Sequence, residues 1–132
     1  MTLNITLKPH EKLFIGGAVI ENGASKAEFS LLNDAAILRE KEILREQDAR
    51  SPATRIYLAV QMMYMDAERT VEYHQIFEQL VRDVAQAAPS TVPFLEEVIA
   101  QVNNRNLYKA LKETRRLINY EKELFKHVQV AD

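Results

Sequence analysis

The chain has 132 residues, of which 47% are hydrophobic and 27% charged, with a formal net charge of −2 and no cysteine. This length fits one ordinary globular domain, and the balanced composition argues against a disordered chain. The lack of cysteine excludes a disulfide framework and a thiolate nucleophile, and the near-neutral charge argues against nucleic-acid binding through bulk attraction to phosphates.

The first forty residues predict short β-strands. Apolar and polar residues alternate over residues 3–8, which is the period of a half-buried strand. Gly16-Gly17 predicts a bulge or a turn within an apolar run, and Asn22-Gly23 predicts a further turn. We therefore expect four or five short strands over residues 2–40, arranged as a small meander or barrel-like sheet.

Helices are predicted for the rest of the chain. Residues 40–50 are dense in charge and predict a short helix or an exposed turn, and Ser51-Pro52 predicts a helix start. The apolar pattern that begins at Ile56 also fits a strand. A helix is preferred because the pattern runs into the strongly periodic segment 66–88.

Two further helices complete the expected fold. Ser90 is a candidate N-cap for the first, Asn103-Asn104 marks a break, and the last helix is predicted over about residues 105–127. The prediction is an α+β fold with a small N-terminal antiparallel β module, residues 1–50. Three or four packed helices, residues 51–132, are expected to pack on it.

The sequence predicts neither catalysis nor a membrane span. It lacks a P-loop and the GxSxG and HExxH motifs, and we expect no metal or other cofactor. Glu123 and His127 have a spacing that two metal ligands could use, but an ordinary surface pair is the preferred interpretation. The strongly apolar, uncharged run over residues 56–65 is far shorter than the roughly 20 residues of a span, so a cytoplasmic protein is expected.

Two groups of basic residues are candidates for binding. Arg105, Lys109, Lys112 and Arg116 recur at helical spacing and would form a stripe opposite the apolar face of the last helix. Such a stripe either contacts phosphates or an acidic partner, or is simply a solvated face. In the β module, Arg39 ends the last predicted strand, where its guanidinium either recognises a guanine edge or joins a surface ion-pair network.

Four blocks of the chain, taken in order, resemble the FlbT family of flagellum-biosynthesis repressors: LKPHEKLFIGGAVIENG (7–23), LREKEIL (38–44), SPATRIYLAVQMMYMD (51–66) and LYKALKETRRLINYE (107–121). The resemblance covers about residues 2–128. It implies a post-transcriptional regulator that binds the 5′ untranslated region of flagellin mRNA and promotes its decay. In some members of the family the effect is activating, so the sign of regulation stays open.

Residues 3–44 also resemble the carbon storage regulator family of RNA-binding proteins, through LNITLKPHEKLFIGG and AAILREKEI. That resemblance implies recognition of a GGA-containing RNA loop between the first and last strands, by backbone groups and by an arginine that matches Arg39. The matching first-strand residues are Ile5, Thr6, Leu7 and Lys8, and Leu7 departs from the pattern because the family often has a basic residue there. A strand-exchanged homodimer is likewise implied.

The expected RNA-binding residues are Ile5, Thr6, Lys8, Arg39, Lys41, Arg105, Lys109, Lys112 and Arg116. The alternative is an adaptor that binds flagellin, a flagellin chaperone or an RNA-decay factor and acts on RNA indirectly. Its partner would lie in a groove between segments 66–88 and 105–127. The near-neutral charge of the chain favours this alternative.

Overall fold

The computed structural model describes residues 2–131, with side chains up to residue 127. Its strands are β1 (Leu3–Leu7), β2 (Lys12–Ile15), β3 (Ala18–Glu21), β4 (Ala27–Leu31) and β5 (Ile37–Arg39). Its α-helices are α1 (Pro52–Met65), α2 (Thr70–Ala87), α3 (Val92–Asn103) and α4 (Leu107–Ala131). The predicted α+β fold, with antiparallel strands before the helices, is confirmed.

The strands form two antiparallel sheets. β1 pairs with β4, and β2 lies between β3 and β5. Gly16 and Gly17 have φ values of 53° and 93° and form a two-residue turn between the paired residues Ile15 and Ala18. A turn of this length requires two positive φ angles, which glycine adopts without strain, so the glycine pair forms a turn and not a bulge.

The core of the β unit forms on one face of β1. Ile5, Leu7 and Leu13 are buried together, and the partly buried side chains around them are Ile15, Phe29, Leu31 and Ile37. Because successive side chains point to opposite faces of a strand, Asn4 and Thr6 of β1 are exposed. The alternation therefore gives β1 an apolar inner face and a polar outer face.

Turn residues hold the β unit closed at one end. The Asn22 side-chain amide donates to the carbonyls of Lys8 at 2.8 Å and Ser25 at 2.9 Å. The backbone N–H of His10 donates to the carbonyl of Gly23 at 2.9 Å. The turn between β1 and β2 is thus bonded to the connection between β3 and β4.

A second compact unit begins at Leu44, directly after the first unit ends at Ile43. α1 is its central helix and packs against both α2 and α4, while α3 packs against α4. Seven side chains of α1 are buried: Ala53, Ile56, Tyr57, Ala59, Val60, Gln61 and Met63. The apolar pattern from Ile56 therefore belongs to a helix, as preferred from the sequence, and not to a strand.

Gln61 bonds Leu44, the first residue of the helical unit, to α1. Its side chain is 3% exposed, its Oε1 accepts the backbone N–H of Leu44 at 2.8 Å, and its Nε2 donates to the Leu44 carbonyl at 3.0 Å. The Gln61 amide thus bonds both the backbone N–H and the carbonyl of Leu44, as a neighbouring strand would. Residues 40–50 contain two short 3-10 turns, Glu40–Glu42 and Glu46–Asp48.

One predicted cap is confirmed and one is wrong. Ser51 caps α1, since its Oγ accepts the backbone N–H of Thr54 at 3.2 Å. Ser90 does not cap α3, because a 3-10 turn over Pro89–Thr91 precedes the helix. Thr91 occupies the capping position and its hydroxyl donates to the Ala88 carbonyl at 2.6 Å.

The connection between α3 and α4 corrects the predicted start of the last helix. Arg105 has a φ of 59°, and its N–H donates to the Val102 carbonyl, while the N–H of Asn106 donates to the Gln101 carbonyl. These two bonds form a Schellman motif that closes α3. Asn106 then caps α4, because its Oδ1 accepts the N–H of Lys109 at 3.3 Å. Arg105 therefore lies outside the helix on which it was predicted.

Candidate nucleic-acid interface

The polar face of β1 borders an open groove in the β unit. The antiparallel register places Asn4 opposite Ser30 and Thr6 opposite Glu28, and the Ser30 hydroxyl donates to Asn4 Oδ1 at 2.8 Å. The groove has a volume of about 310 Å³ and is lined by Asn4, Ile5, Thr6, Glu28, Phe29 and Ser30. Asn4, Thr6, Glu28 and Ser30 give this groove hydrogen-bonding side chains, which suit the edges of unpaired bases. The Phe29 ring packs on the opposite, core face of the sheet.

Arg39 reaches from β5 to β1. Its Nη2 donates to the backbone carbonyl of Thr6 and lies 3.4 Å from Glu11 Oε1, while its Nε lies 3.4 Å from Glu11 Oε2. Within the part of the chain that the structure describes, the Nη1 group of Arg39 has no hydrogen-bond partner. The arginine predicted to recognise a base is thus held in place by a strand carbonyl and a carboxylate.

Glu11 is the acidic centre of this arrangement. Its Oε1 accepts the backbone N–H of Lys8 at 2.9 Å, and its side chain is 15% exposed. The Lys8 N–H first, and then the Arg39 guanidinium, hold the pKa of the Glu11 carboxyl below its usual range. Glu11 is therefore ionised at neutral pH.

The structure brings some of the predicted β-module residues together. Lys8 and Arg39 both contact Glu11, and Arg39 also contacts the Thr6 carbonyl. Thr6 and Lys8 are exposed. Ile5 is only 4% exposed and its side chain belongs to the core, although Ile5 is also among the residues that line the groove. Lys41 is exposed in the 3-10 turn that follows β5.

The predicted basic stripe is present on α4 in shortened form. Lys109, Lys112 and Arg116 are all exposed on the helix, whereas Arg105 is exposed in the preceding turn. Glu113 partly neutralises the stripe, since its Oε2 lies 3.3 Å from Arg116 Nη1. Residues 105–132 carry seven basic and four acidic side chains, while residues 44–104 carry five and nine. Positive charge is therefore concentrated at the end of the helical unit.

Two tyrosines lie beside this stripe. The Lys112 Nζ lies 5.0 Å from the ring centroid of Tyr108, and the Tyr108 ring packs against Tyr64 with centroids 6.1 Å apart. Cations and aromatic rings attract each other at this separation. The sequence indicated Tyr108 as a neighbour of the stripe but gave no sign of Tyr64, because periodicity within α4 does not identify the facing residue on α1.

Arg115 and Glu11 are site residues that the sequence analysis missed. The Arg115 guanidinium donates to the Tyr57 hydroxyl at 3.1 Å, which ties the exposed side of α4 to α1. Glu11 is separated from Arg39 by 28 positions, so local spacing could not pair them. The only sequence signal for the role of Glu11 was its position directly after the Pro9-His10 turn.

Across residues 2–131, the structure contains no helix that is long and apolar enough to cross a membrane. Glu123, which the sequence analysis considered as a metal ligand with His127, pairs with Lys126 at 3.4 Å.

Comparison with known proteins gives consistent matches over nearly the whole chain. The model of the family described as "Flagellar protein FlbT" matches residues 3–125. A "Probable flagellum biosynthesis repressor protein FlbT 1" of Bradyrhizobium diazoefficiens is 40% identical over 125 residues, which cover 94% of this chain and 85% of that protein. A "Probable flagellum biosynthesis repressor protein FlbT" of Rhodopseudomonas palustris is 40% identical over 94% of this chain and 98% of its own length.

The "Flagellum biosynthesis repressor protein FlbT" of Caulobacter vibrioides is 37% identical over 131 residues, which cover 97% of this chain and 92% of that protein. No solved structure gives a significant match.

Proposed function

This chain belongs to the FlbT family of flagellar proteins, and from that premise we propose that it regulates flagellin production after transcription. It does so in the cytoplasm, by binding the 5′ untranslated region of flagellin mRNA and altering the stability or translation of that message. The names of the relatives support a regulatory role in flagellum biosynthesis and a protein that is not an enzyme.

The position of Arg39 carries the RNA-binding part of this proposal. Its guanidinium lies against the carbonyl of Thr6, and Thr6 also lines the groove of polar side chains. Unpaired bases are recognised by hydrogen bonds to their edges and by stacking, which need correctly placed donors and not a large positive field. A chain of net charge −2 can therefore bind single-stranded RNA through geometry.

The basic stripe of α4 supplies a second contact in this proposal. Lys109, Lys112 and Arg116 project from one exposed side of a helix, at spacings that suit the phosphates of a backbone. Phosphate contacts fix the position of a nucleic acid, and base contacts determine its sequence. We therefore assign positioning to α4 and recognition to the β unit, with about 3–6 phosphates neutralised per complex.

Fluorescence anisotropy with the flagellin leader RNA tests the proposal. Arg39→Ala should lower affinity for the leader and leave weak binding to unrelated RNA nearly unchanged. The triple change Lys109/Lys112/Arg116→Glu should lower affinity for both RNAs and reduce the salt dependence. The triple change Arg50/Arg55/Arg82→Glu is the matched control, because it makes the same change in net charge at exposed positions elsewhere. Leader binding that is unchanged in Arg39→Ala and in the α4 triple variant would contradict both surfaces.

The second candidate function is a protein adaptor that acts on RNA indirectly, and the paired cations favour it. Arg39, Arg116 and Lys126 each lie within 3.4 Å of a glutamate oxygen, which weakens their attraction for phosphates. A gel shift of the leader by purified protein, run beside a pull-down from lysate, distinguishes the two functions. A shift by the protein alone supports direct binding. No shift, together with retention of flagellin or its chaperones, supports the adaptor.

A further inference from the structure

Glu11 occupies one edge of the Arg39 guanidinium. Nε and Nη2 form one side of the guanidinium fork, and the two carboxylate oxygens of Glu11 face these nitrogens one to one. Both distances are 3.4 Å, longer than the 2.7–2.9 Å typical of a strong charge-assisted bond. The carboxylate is therefore aligned with the fork but bound to it loosely.

A backbone hydrogen bond nevertheless keeps the Glu11 carboxylate next to Arg39. Its Oε1 accepts the Lys8 N–H at 2.9 Å, within the turn that the Glu11 N–H closes by donating to the Lys8 carbonyl at 3.1 Å. Since both carboxylate oxygens lie 3.4 Å from Arg39 nitrogens, a ligand that approaches this edge of Arg39 also approaches the carboxylate. A negative charge therefore stays beside the Arg39 guanidinium at this site.

We propose that Glu11 determines the selectivity of the β-unit RNA site, by rejecting phosphates at Arg39 while admitting neutral base edges. This inference rests on the proposed function. A phosphate brought to the fork would meet the Glu11 charge at close range, and like charges repel. The O6 and N7 atoms of guanine are neutral acceptors, so they can replace the loosely held carboxylate at the fork with much less repulsion.

Arg39 remains positioned while this exchange takes place. Its bond to the Thr6 carbonyl does not involve Glu11, so the guanidinium stays oriented when the carboxylate yields its place. The Nη1 group is available for a further acceptor, as described above. In this proposal the Glu11 carboxylate competes with the ligand for Arg39. Removing its charge should make RNA binding tighter and less specific.

The variant Glu11→Gln tests this directly. Glutamine keeps an acceptor for the Lys8 N–H and removes the charge. Glu21→Gln is the matched control, because Glu21 is an exposed glutamate at the end of β3. Each full-length protein is titrated with a fluorescent oligo(U) and with the flagellin leader, over a series of KCl concentrations.

Glu11→Gln should bind oligo(U) roughly fivefold more tightly, the effect expected of one surface charge. The slope of log K against log salt should steepen by about 0.7, equivalent to one additional phosphate contact on a single strand. Preference for the leader over oligo(U) should fall at least threefold. The additional change Arg39→Ala should abolish the gain, and Glu21→Gln should produce none of these effects.

The outcomes separate this inference from the proposed function. A wild-type protein that prefers the leader, with Glu11→Gln behaving like Glu21→Gln, overturns the role of Glu11 and leaves the function intact. A wild-type protein with no preference for the leader overturns both. If circular dichroism shows that Glu11→Gln is misfolded, Glu11→Asp replaces it, since the shorter side chain withdraws the carboxylate from Arg39. That variant must then weaken discrimination, or the inference is wrong.

Discussion

The guanidinium of Arg39, the last residue of β5, donates a hydrogen bond to the backbone carbonyl of Thr6 in β1. The two strands belong to different sheets, so no ladder of backbone hydrogen bonds joins them. The Arg39 side chain therefore links the two strands that the proposed RNA site requires, in addition to the packing of Ile37 against the buried face of β1.

Arg39→Lys should destabilise the protein by about 1 kcal/mol, because an ammonium group keeps the charge but lacks the planar fork that meets Thr6 and Glu11 together. Urea denaturation measures the change. Arg45→Lys is the control, since Arg45 forms an exposed pair with Asp48 at 2.8 Å and should lose less than half as much. Equal losses in the two variants would show that the fork geometry of Arg39 has no structural role.

The Glu11 carboxyl should titrate below the usual value for glutamate. Because its pKa is lower in the folded state than in the unfolded state, it stabilises the fold above the unfolded-state pKa, near 4.5. That contribution is lost as the pH falls through the lower, folded-state pKa. NMR titration of the carboxyl carbon measures the shift. Arg39→Ala should reverse the shift only in part, because the Lys8 N–H is its largest cause. A Glu11 pKa at the usual value for glutamate would contradict the hydrogen bonds of Glu11 to Lys8 and Arg39.

Gln61→Leu should destabilise the helical unit by about 2 kcal/mol, although it replaces a buried polar side chain with an apolar one. The change removes both partners of the Leu44 backbone, and an unsatisfied, partly buried amide group is costly. Gln75→Leu, on the exposed side of α2, is the control and should alter the free energy of unfolding little. Thermal denaturation of both variants measures the difference. Equal melting temperatures for Gln61→Leu and Gln75→Leu would show that the hydrogen bonds of Gln61 to Leu44 do not stabilise the helical unit.

Arg105→Gly should stabilise the protein by about 1 kcal/mol, because glycine adopts a positive φ without the steric cost that arginine carries. Asn104→Gly is the control: Asn104 has a φ of −81°, so glycine gains nothing there and should destabilise the protein slightly. If Arg105 also contacts phosphate, Arg105→Gly should reduce the salt dependence of RNA binding while raising the melting temperature. A fall in that temperature would contradict the left-handed assignment.

Local features were predictable because they depend on neighbouring residues. The alternation in β1 identified its buried face, the glycine pair indicated a bulge or a turn, and Ser51 identified the start of α1. Each depends on backbone geometry within a few positions.

Long-range features were not predictable, for an equally physical reason. Strand periodicity says which face is buried but not which strand is the partner, so the pairing of β1 with β4 could not be derived. Arg105 continued the spacing of basic residues, but its backbone closes the preceding helix. The usual signal for a helix end, an asparagine, stands at Asn103 and Asn104. The residue with the positive φ is the next one, Arg105, and the spacing of basic side chains does not reveal this.

The double use of Asn106 has an evolutionary consequence. The Asn106 N–H completes the Schellman motif of α3, and its side chain caps α4. No additional residue therefore separates the end of one helix from the start of the next. A single inserted residue would separate the two roles and rotate α4 about its axis relative to α3. Insertions and deletions among relatives should therefore be rare between residues 101 and 110, and hydrogen exchange at the joint should be as slow as within the helices themselves.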